Sequence, residues 1–268
     1  MPSPDYTNTP LRPAKQIHRL LDERAQWYNQ PRFIETDPIS VPHRFSLPQD
    51  IEISGLFAAL FAWGNRTTII AKATELMQRM DNAPWQFVLH ASAAELRGLE
   101  GFKHRTFTAD DLFYFIEFLR MHYQQHASLQ TAFSRWMQPA DRTVENALNG
   151  FRNYFFSLPH LTRTHKHISA PALHSACKRL NMYLRWMVRT DDVGVDFGLW
   201  KAIRPAQLVC PLDVHVMRVA RHLGLVQQKL PNWQAALELT ANLRHLRPTD
   251  PAVYDFALFG LGVEERVG

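Results

Sequence analysis

A lysine opens one amphipathic stretch of this chain, and an aspartate opens another 35 residues later. Lys178 lies in the first turn of a helix read from HSACKRLNMYLRWMVR (174–189). Asp213 stands at the mouth of a helix read from CPLDVHVMRVARHLGL (210–225). A neutral amine can attack an electrophilic carbon and pass through a Schiff base. A nearby carboxylate can take a proton or steady a developing positive charge. Two helix mouths turned toward one pocket would supply both groups. Each residue also has a plain structural reading, Lys178 as a surface lysine and Asp213, after Pro211, as a helix N-cap. A cation in a first turn opposes the positive end of the helix dipole, so Lys178 is a local inconsistency of the kind that marks function.

The flanking residues divide into faces. Ala176, Leu180, Tyr183, Leu184, Met187 and Val188 recur at helical spacing as a core stripe, while Lys178, Met182, Arg185 and Arg189 share another face. On the second helix Leu212, Val216, Val219, Ala220 and Leu223 form the stripe and Gly224 ends it. His215, Arg218, Arg221 and His222 point elsewhere. Residues 151–225 carry eleven Lys and Arg against four Asp, a net +7, whereas the rest of the chain carries −2. A basic segment within a near-neutral protein points to a polyanionic partner, with a solvated basic surface as the alternative.

The elements that must position these groups read as helices. The chain has 268 residues, 46% of them apolar and 21% charged, enough for one large domain or two small lobes. Ser46–Gln49, Ser92–Glu95 and Thr108–Asp111 read as N-terminal caps. Further helical stretches fall near 12–29, 66–80, 127–137, 143–158, 232–246 and 251–260. No alternating strand run and no repeat appear, so the expected class is all-α with about ten helices. Residues 1–16, with four prolines and no apolar period, are expected to be disordered. No secretory h-region is visible, and the longest apolar run falls short of the roughly 20 residues that span a bilayer, so a cytoplasmic protein without a membrane partner is expected. Cys177 and Cys210 read as reduced thiols, and two cysteines exclude a four-cysteine cluster within the chain. His165 and His167 lack nearby carboxylates or thiols and read as basic loop residues. The DFG triplet at 196–198 has no kinase context. No metal or cofactor is expected.

PLDVHVMRVARHLGL resembles the Pro-Asp-x-His-x-x-Arg block of the helix-hairpin-helix/Gly-Pro-Asp (HhH-GPD) DNA glycosylases, with Asp213, His215 and Arg218 in the matching positions. Lys178 fits the place of the nucleophilic lysine in the bifunctional members. HRFSLPQDIEISGLFAALFAWGNR, HISAPALHSACKRLNMYLRWMVR, GVDFGLW and DPAVYDFALFGLGV together resemble an uncharacterised bacterial family within or beside that superfamily, over most of 28–262. The chain departs from the superfamily at its glycine hairpin, where ISAPALHSACK stands without glycines. The separation of Lys178 and Asp213 is similar to that in the archaeal 8-oxoguanine glycosylase branch.

The resemblance implies a two-lobed helical glycosylase-like fold, with 17–48 and 205–268 in a terminal lobe and 49–204 in a central lobe. It implies a monomeric DNA N-glycosylase and AP lyase of base-excision repair, acting on damaged duplex DNA and releasing an oxidised purine such as 8-oxoguanine. Lys178 would be the nucleophile and Asp213 its carboxylate. Asp255, Phe259 and Trp63 would line the base pocket. Arg66, Arg179, Arg185, Arg189, His215 and Arg218 would hold DNA. A non-catalytic module that binds damaged or kinked DNA is the alternative.

Overall fold

The structure, a computed structural model, describes residues 14–265 and residue 267. The stretch expected to be disordered lies outside the described residues as far as 13. From Ala14 onward the chain is helical.

Thirteen α-helices are present among the described residues. They are α1 (Ala14–Tyr28), α2 (Pro31–Thr36), α3 (Pro48–Phe61), α4 (Arg66–Arg79), α5 (Pro84–His90), α6 (Ala93–Arg97), α7 (Ala109–Tyr123), α8 (Gln130–Ser134), α9 (Glu145–Phe155), α10 (Lys178–Val188), α11 (Val214–His222), α12 (Trp233–Leu246) and α13 (Tyr254–Phe259). The all-α expectation holds, apart from a hairpin of two residues a side, Lys103–His104 with Phe107–Thr108. Among the described residues no helix is long and apolar enough to cross a membrane.

The chain folds into two compact units. Among the described residues, one contains 14–33, 140–145 and those from 170 on; the other contains 34–139 and 146–169. The expectation placed 17–48 with 205–268 and 49–204 apart from them; the units instead divide near 33 and near 170, with 140–145 joining the terminal segments. Residues 170–204, α10 included, therefore belong with the C-terminal segment.

The unit of 34–139 and 146–169 is built around α3, which is buried from Asp50 to Phe61. Phe57 and Phe61 pack against Phe107 and Phe102, and Phe133 stacks on Phe151 of α9 at 3.9 Å. Glu52, buried on α3, accepts hydrogen bonds from Tyr123 Oη, Ser128 Oγ and Leu129 N, so its burial is compensated. The cap expected at Ser46 does not form. Pro48 fixes the first helical position, which places Leu47 at the N-cap, and Leu47 has no side chain to cap with. The Ser92–Glu95 box does form, and Asp111 accepts from the Thr108 backbone N–H.

The other unit packs α1 along α13. Arg24 and Tyr28 reach Glu265, and Tyr254 Oη donates to Asp22 at 2.7 Å. Gly260 admits the Tyr28 ring, because a Cβ there would lie 2.1 Å from ring carbons.

Candidate active site

Lys178 is the first residue of α10, and its position is set by an unusual approach. A short 3-10 turn, Pro171–Leu173, leads into His174 with φ 57°, and Cys177 at the N-cap has φ 51°. Both are non-glycine residues in the left-handed region, a conformation that costs of order 1–3 kcal/mol and persists only when its surroundings enforce it. Here the enforcement is visible. Ser175 pairs antiparallel with Asn232, its Oγ accepts from Cys177 N at 3.1 Å, and Asn181 Nδ2 donates to Ala176 O at 3.0 Å.

Asp213 is the N-cap of α11. Its Oδ1 accepts from the backbone N–H groups of His215 and Val216 at 2.9 and 3.0 Å. The other oxygen, Oδ2, faces Lys178 Nζ at 3.8 Å, and about a quarter of each side chain is exposed. The two helix mouths thus meet within one unit. Asp213 both caps its helix and presents a carboxylate oxygen to the amine. Cys210, three residues before Asp213, is fully buried, and desolvation pushes its thiol well above the ordinary range, so it stays a neutral SH.

The polar face expected on α10 is internal. Arg185 and Arg189 are each only 3% exposed, and α10 is buried all round from Leu180 to Val188. Their assignment to phosphate binding is therefore corrected: both guanidinium groups are committed to an internal ionic network. Arg185 Nη1 lies 2.5 Å from Asp255 Oδ2, and its Nε lies 3.3 Å from Asp196 Oδ1. Arg189 reaches Asp196 at 2.9 Å, Asp191 at 2.6 Å and Asp250 at 2.8 Å. The physical reason is the strap 189–200. It folds back over the end of α10, and its Phe197 and Trp200 N–H groups meet the last-turn carbonyls of Trp186 and Met187 at 2.8 Å. This fold-back carries Asp196, the aspartate of the unrelated DFG triplet, into the core between the two arginines.

Burial and pairing compete within the network. Burial alone would push the Asp191 carboxyl up, but the Asn29 hydrogen bond and the Arg189 guanidinium outweigh it and hold it below its usual range. At Asp196, fully enclosed, desolvation wins and the carboxyl is raised. Asp255 is likewise pushed up by burial, to about 6, despite Arg185 and Lys178. Arg189 is stabilised as a cation, since its carboxylate partners overcome the cost of its own burial.

The remaining expected site residues are engaged elsewhere or stand apart from the Lys178–Asp213 contact within their own unit. Asp255 is 6% exposed and its carboxylate is engaged by Arg185, so the acceptor expected to read a base is already occupied. That assignment is corrected as well. Phe259, partly buried, packs edge-on to Phe33 at 6.1 Å. Arg218 is exposed, yet its guanidinium donates to the carbonyls of Gly262 and Val267 and so braces the chain after α13. His215 is exposed on α11. Arg179 is partly exposed, and desolvation lowers its guanidinium below the ordinary arginine range. Trp63 and Arg66 belong to the other unit. There the Arg105 guanidinium lies 4.8 Å from the Trp63 ring centroid, and Gly64, at φ 98°, leaves the room that a Cβ would deny Arg105. His167, read as a basic loop residue, is buried against Asp111 at 3.2 Å. Among the described residues no group of three or more His, Cys, Asp and Glu is arranged to hold a metal ion.

Sequence reasoning missed Asp191, Asp196 and Asp250. For Asp191 and Asp196 the one advance signal was the acidic run in the segment between α10 and α11, directly after a helix rich in arginine; Asp250, after α12, had none. No curated protein and no solved structure matches the chain. Residues 37–264 match a family described as a protein of unknown function (DUF2400), and the chain belongs to that family.

Proposed function

We propose that this protein is a DNA N-glycosylase and AP lyase with an HhH-GPD-like fold, acting on an oxidised purine such as 8-oxoguanine in duplex DNA. The observation that carries the reading is the Lys178 Nζ–Asp213 Oδ2 approach of 3.8 Å at two helix mouths, with both groups partly open to solvent. A second feature supports it. The glycine-free turn before Lys178 adopts left-handed backbone at His174 and Cys177, the conformation that glycines would supply in the hairpin it replaces.

The chemistry assigns each group a task. A target nucleotide is extruded from the duplex. Asp213 accepts a proton from the Lys178 ammonium, and the amine lone pair forms a bond to C1′ while the glycosidic bond breaks. The base leaves with the bonding electrons and takes up a proton. Ring opening gives a protonated Schiff base between Lys178 and C1′. Loss of a C2′ proton then expels the 3′ phosphate by β-elimination. The proton taken up by the base comes from Asp213, which is thereby a carboxylate again and faces the positive charge of the Schiff base at C1′. Arg179 and the exposed Arg221 supply cationic contacts to the backbone phosphates, and the exposed His215 ring supplies a hydrogen-bonding one.

The second reading is a non-catalytic module for damaged or kinked DNA. It is favoured by one observation: Asp213 is already satisfied as an N-cap and pairs with Lys178. Borohydride trapping on duplexes carrying 8-oxoguanine, uracil, hypoxanthine, an alkylated purine or an abasic site separates the two. Covalent protein–DNA product with wild type and none with Lys178→Gln supports the lyase. Binding to these duplexes without trapping on any of them supports the module. Neither trapping nor binding rejects both.

A further inference from the structure

The outer face of α1 carries a feature that the Lys178–Asp213 site does not use. Leu20, Leu21 and Ala25 are buried on the inner side of this helix. Lys15, Arg19, Glu23 and Trp27 follow one another on the outer side at helical i, i+4 spacing, and all four are exposed. Trp27 is 57% exposed, although an indole usually spends its large area on a core or an interface. It lines a cavity of about 480 Å³ with Glu23, Gln26, Gln30, Pro31 and Arg32, all in the unit that holds Lys178. A cavity of that order takes a small molecule or a single base.

The indole is braced in place. The Arg32 guanidinium lies 4.4 Å from its ring centroid, and Arg32 Nη2 donates to Trp27 O at 2.9 Å, so a cation backs one face of the ring. Gln30 Nε2 donates to Gln26 O at 3.0 Å and steadies the neighbouring wall. A second hollow, of about 350 Å³, shares Glu23 and Gln26 with the first and continues past Asp22, Arg19 and His18 to Lys15. Both carboxylates on this path have protein partners. Glu23 pairs with Arg19 at 2.7 Å, and Asp22 accepts from Tyr254 Oη at 2.7 Å. The two hollows make one trough along α1. An aromatic ring stands at one end, and a lysine stands at the other, about 18 Å away at 1.5 Å per residue.

We propose that this trough binds an unpaired nucleobase stacked on Trp27, with the attached single strand led past Arg19 to Lys15. A base has a flat π-face that stacks on an open indole whatever its sequence, and a phosphate backbone needs cations along its path. The Gln26 and Gln30 amides each carry donors and an acceptor, so they meet the edge of any base without selecting one. A paired duplex cannot use the ring, because its bases already stack on one another. The length of the trough exceeds a single nucleotide and suits a short run of strand. None of these groups belongs to the Lys178–Asp213 pair, so the inference stands apart from the lyase reading.

The test uses the full chain and two readouts. A fluorescein-labelled single strand of deoxyadenylate is titrated by anisotropy, and the unlabelled strand and AMP are titrated by tryptophan fluorescence. The strand should quench part of the wild-type emission, and that part should be missing in Trp27→Ala. Because Trp27 is exposed, this variant should fold as wild type does, and it should bind the strand about tenfold more weakly, as befits the loss of one stacked base. Lys15→Ala should flatten the log K versus log salt slope by about 0.7, the value for one phosphate contact on a single strand. Unchanged affinity in Trp27→Ala overturns the inference, and so does the absence of quenching by both strand and AMP. AMP binding as tightly as the strand, with no effect of Lys15→Ala, upholds the base platform and overturns the path for the strand. Lys178→Gln should bind as wild type does, so a failure of the lyase reading leaves these outcomes unmoved.

Discussion

Replacing Arg185 by Leu isolates the energetics of the internal network. The variant keeps much of the apolar bulk of the side chain but removes the cation between Asp196, with a fully buried side chain, and Asp255, with a side chain 9% exposed. Breaking a buried ion pair by deleting one partner costs about 3–5 kcal/mol, because the abandoned charge remains in the interior. At roughly 2–4 °C per kcal/mol for a protein of this size, the melting midpoint at pH 8 should fall by about 6–20 °C. The sign of the pH dependence follows from Asp255. Burial raises its folded-state pKa to about 6, above the ordinary carboxyl value, so the folded protein holds a proton that the unfolded chain releases at lower pH. Ionisation of this group opposes folding as pH rises. Without Arg185 both carboxyls are pushed higher still, so protonation relieves the strain and the deficit should shrink between pH 8 and pH 5. Thermal melts of both proteins at pH 5, 6, 7 and 8 measure it. A shift below about 2 °C at pH 8, or a deficit that does not change with pH, would refute the reasoning.

Asn caps helices about as well as Asp, whereas Ala forfeits roughly 1 kcal/mol; Asp213→Asn should therefore keep its melting point and lose trapping, while Asp213→Ala loses both, and an active Asp213→Asn would reduce Asp213 to a cap. Gly198 has φ 58°, and a Cβ there would lie 1.6 Å from Thr190 Oγ1, so Gly198→Ala should loosen the strap and destabilise by about 1–3 kcal/mol in urea titrations, with unchanged stability as the refuting result. Cys177 and Cys210 are both buried, so a thiol reagent should label neither until the protein is unfolded, and rapid labelling of the native protein would contradict their placement.

The parts of this site that were legible in the sequence are those fixed by local chemistry. Asp213 after Pro211 announces an N-cap, and the α11 stripe of Leu212, Val216, Val219, Ala220 and Leu223 is buried as its spacing required. The capping box at Ser92 obeys the same local rule. The one at Ser46 fails because Pro48 fixes the start of α3 two residues later. Arg185 and Arg189 were illegible for a different reason. Helical periodicity divides residues into faces, but it says nothing of whether the second face meets solvent or another element. Their partners lie from 2 to 70 residues away, on a strap and two later segments, and ion pairs across loops leave no period in the chain. The small hairpin at 103–108 escaped because two residues a side cannot display alternation.

The misread arginines change what α10 does. A helix with an exposed cationic face would bind a polyanion along its length and leave Lys178 as one contact among several. With Arg185 and Arg189 internal, α10 is a buried post whose one reactive group at its mouth is Lys178, about a quarter exposed. The same arginines tie that post to the strap, through Asp196, and to α13, through Asp255. An apolar core could give comparable stability, since buried ion pairs seldom outperform well-packed hydrophobic groups. What the ionic network adds is direction: each guanidinium accepts few arrangements of its carboxylates, and this fixes the rotation of α10 about its axis. Because Lys178 is two turns from Arg185 on that helix, a rotation that breaks the Arg185 contacts also carries the amine away from Asp213.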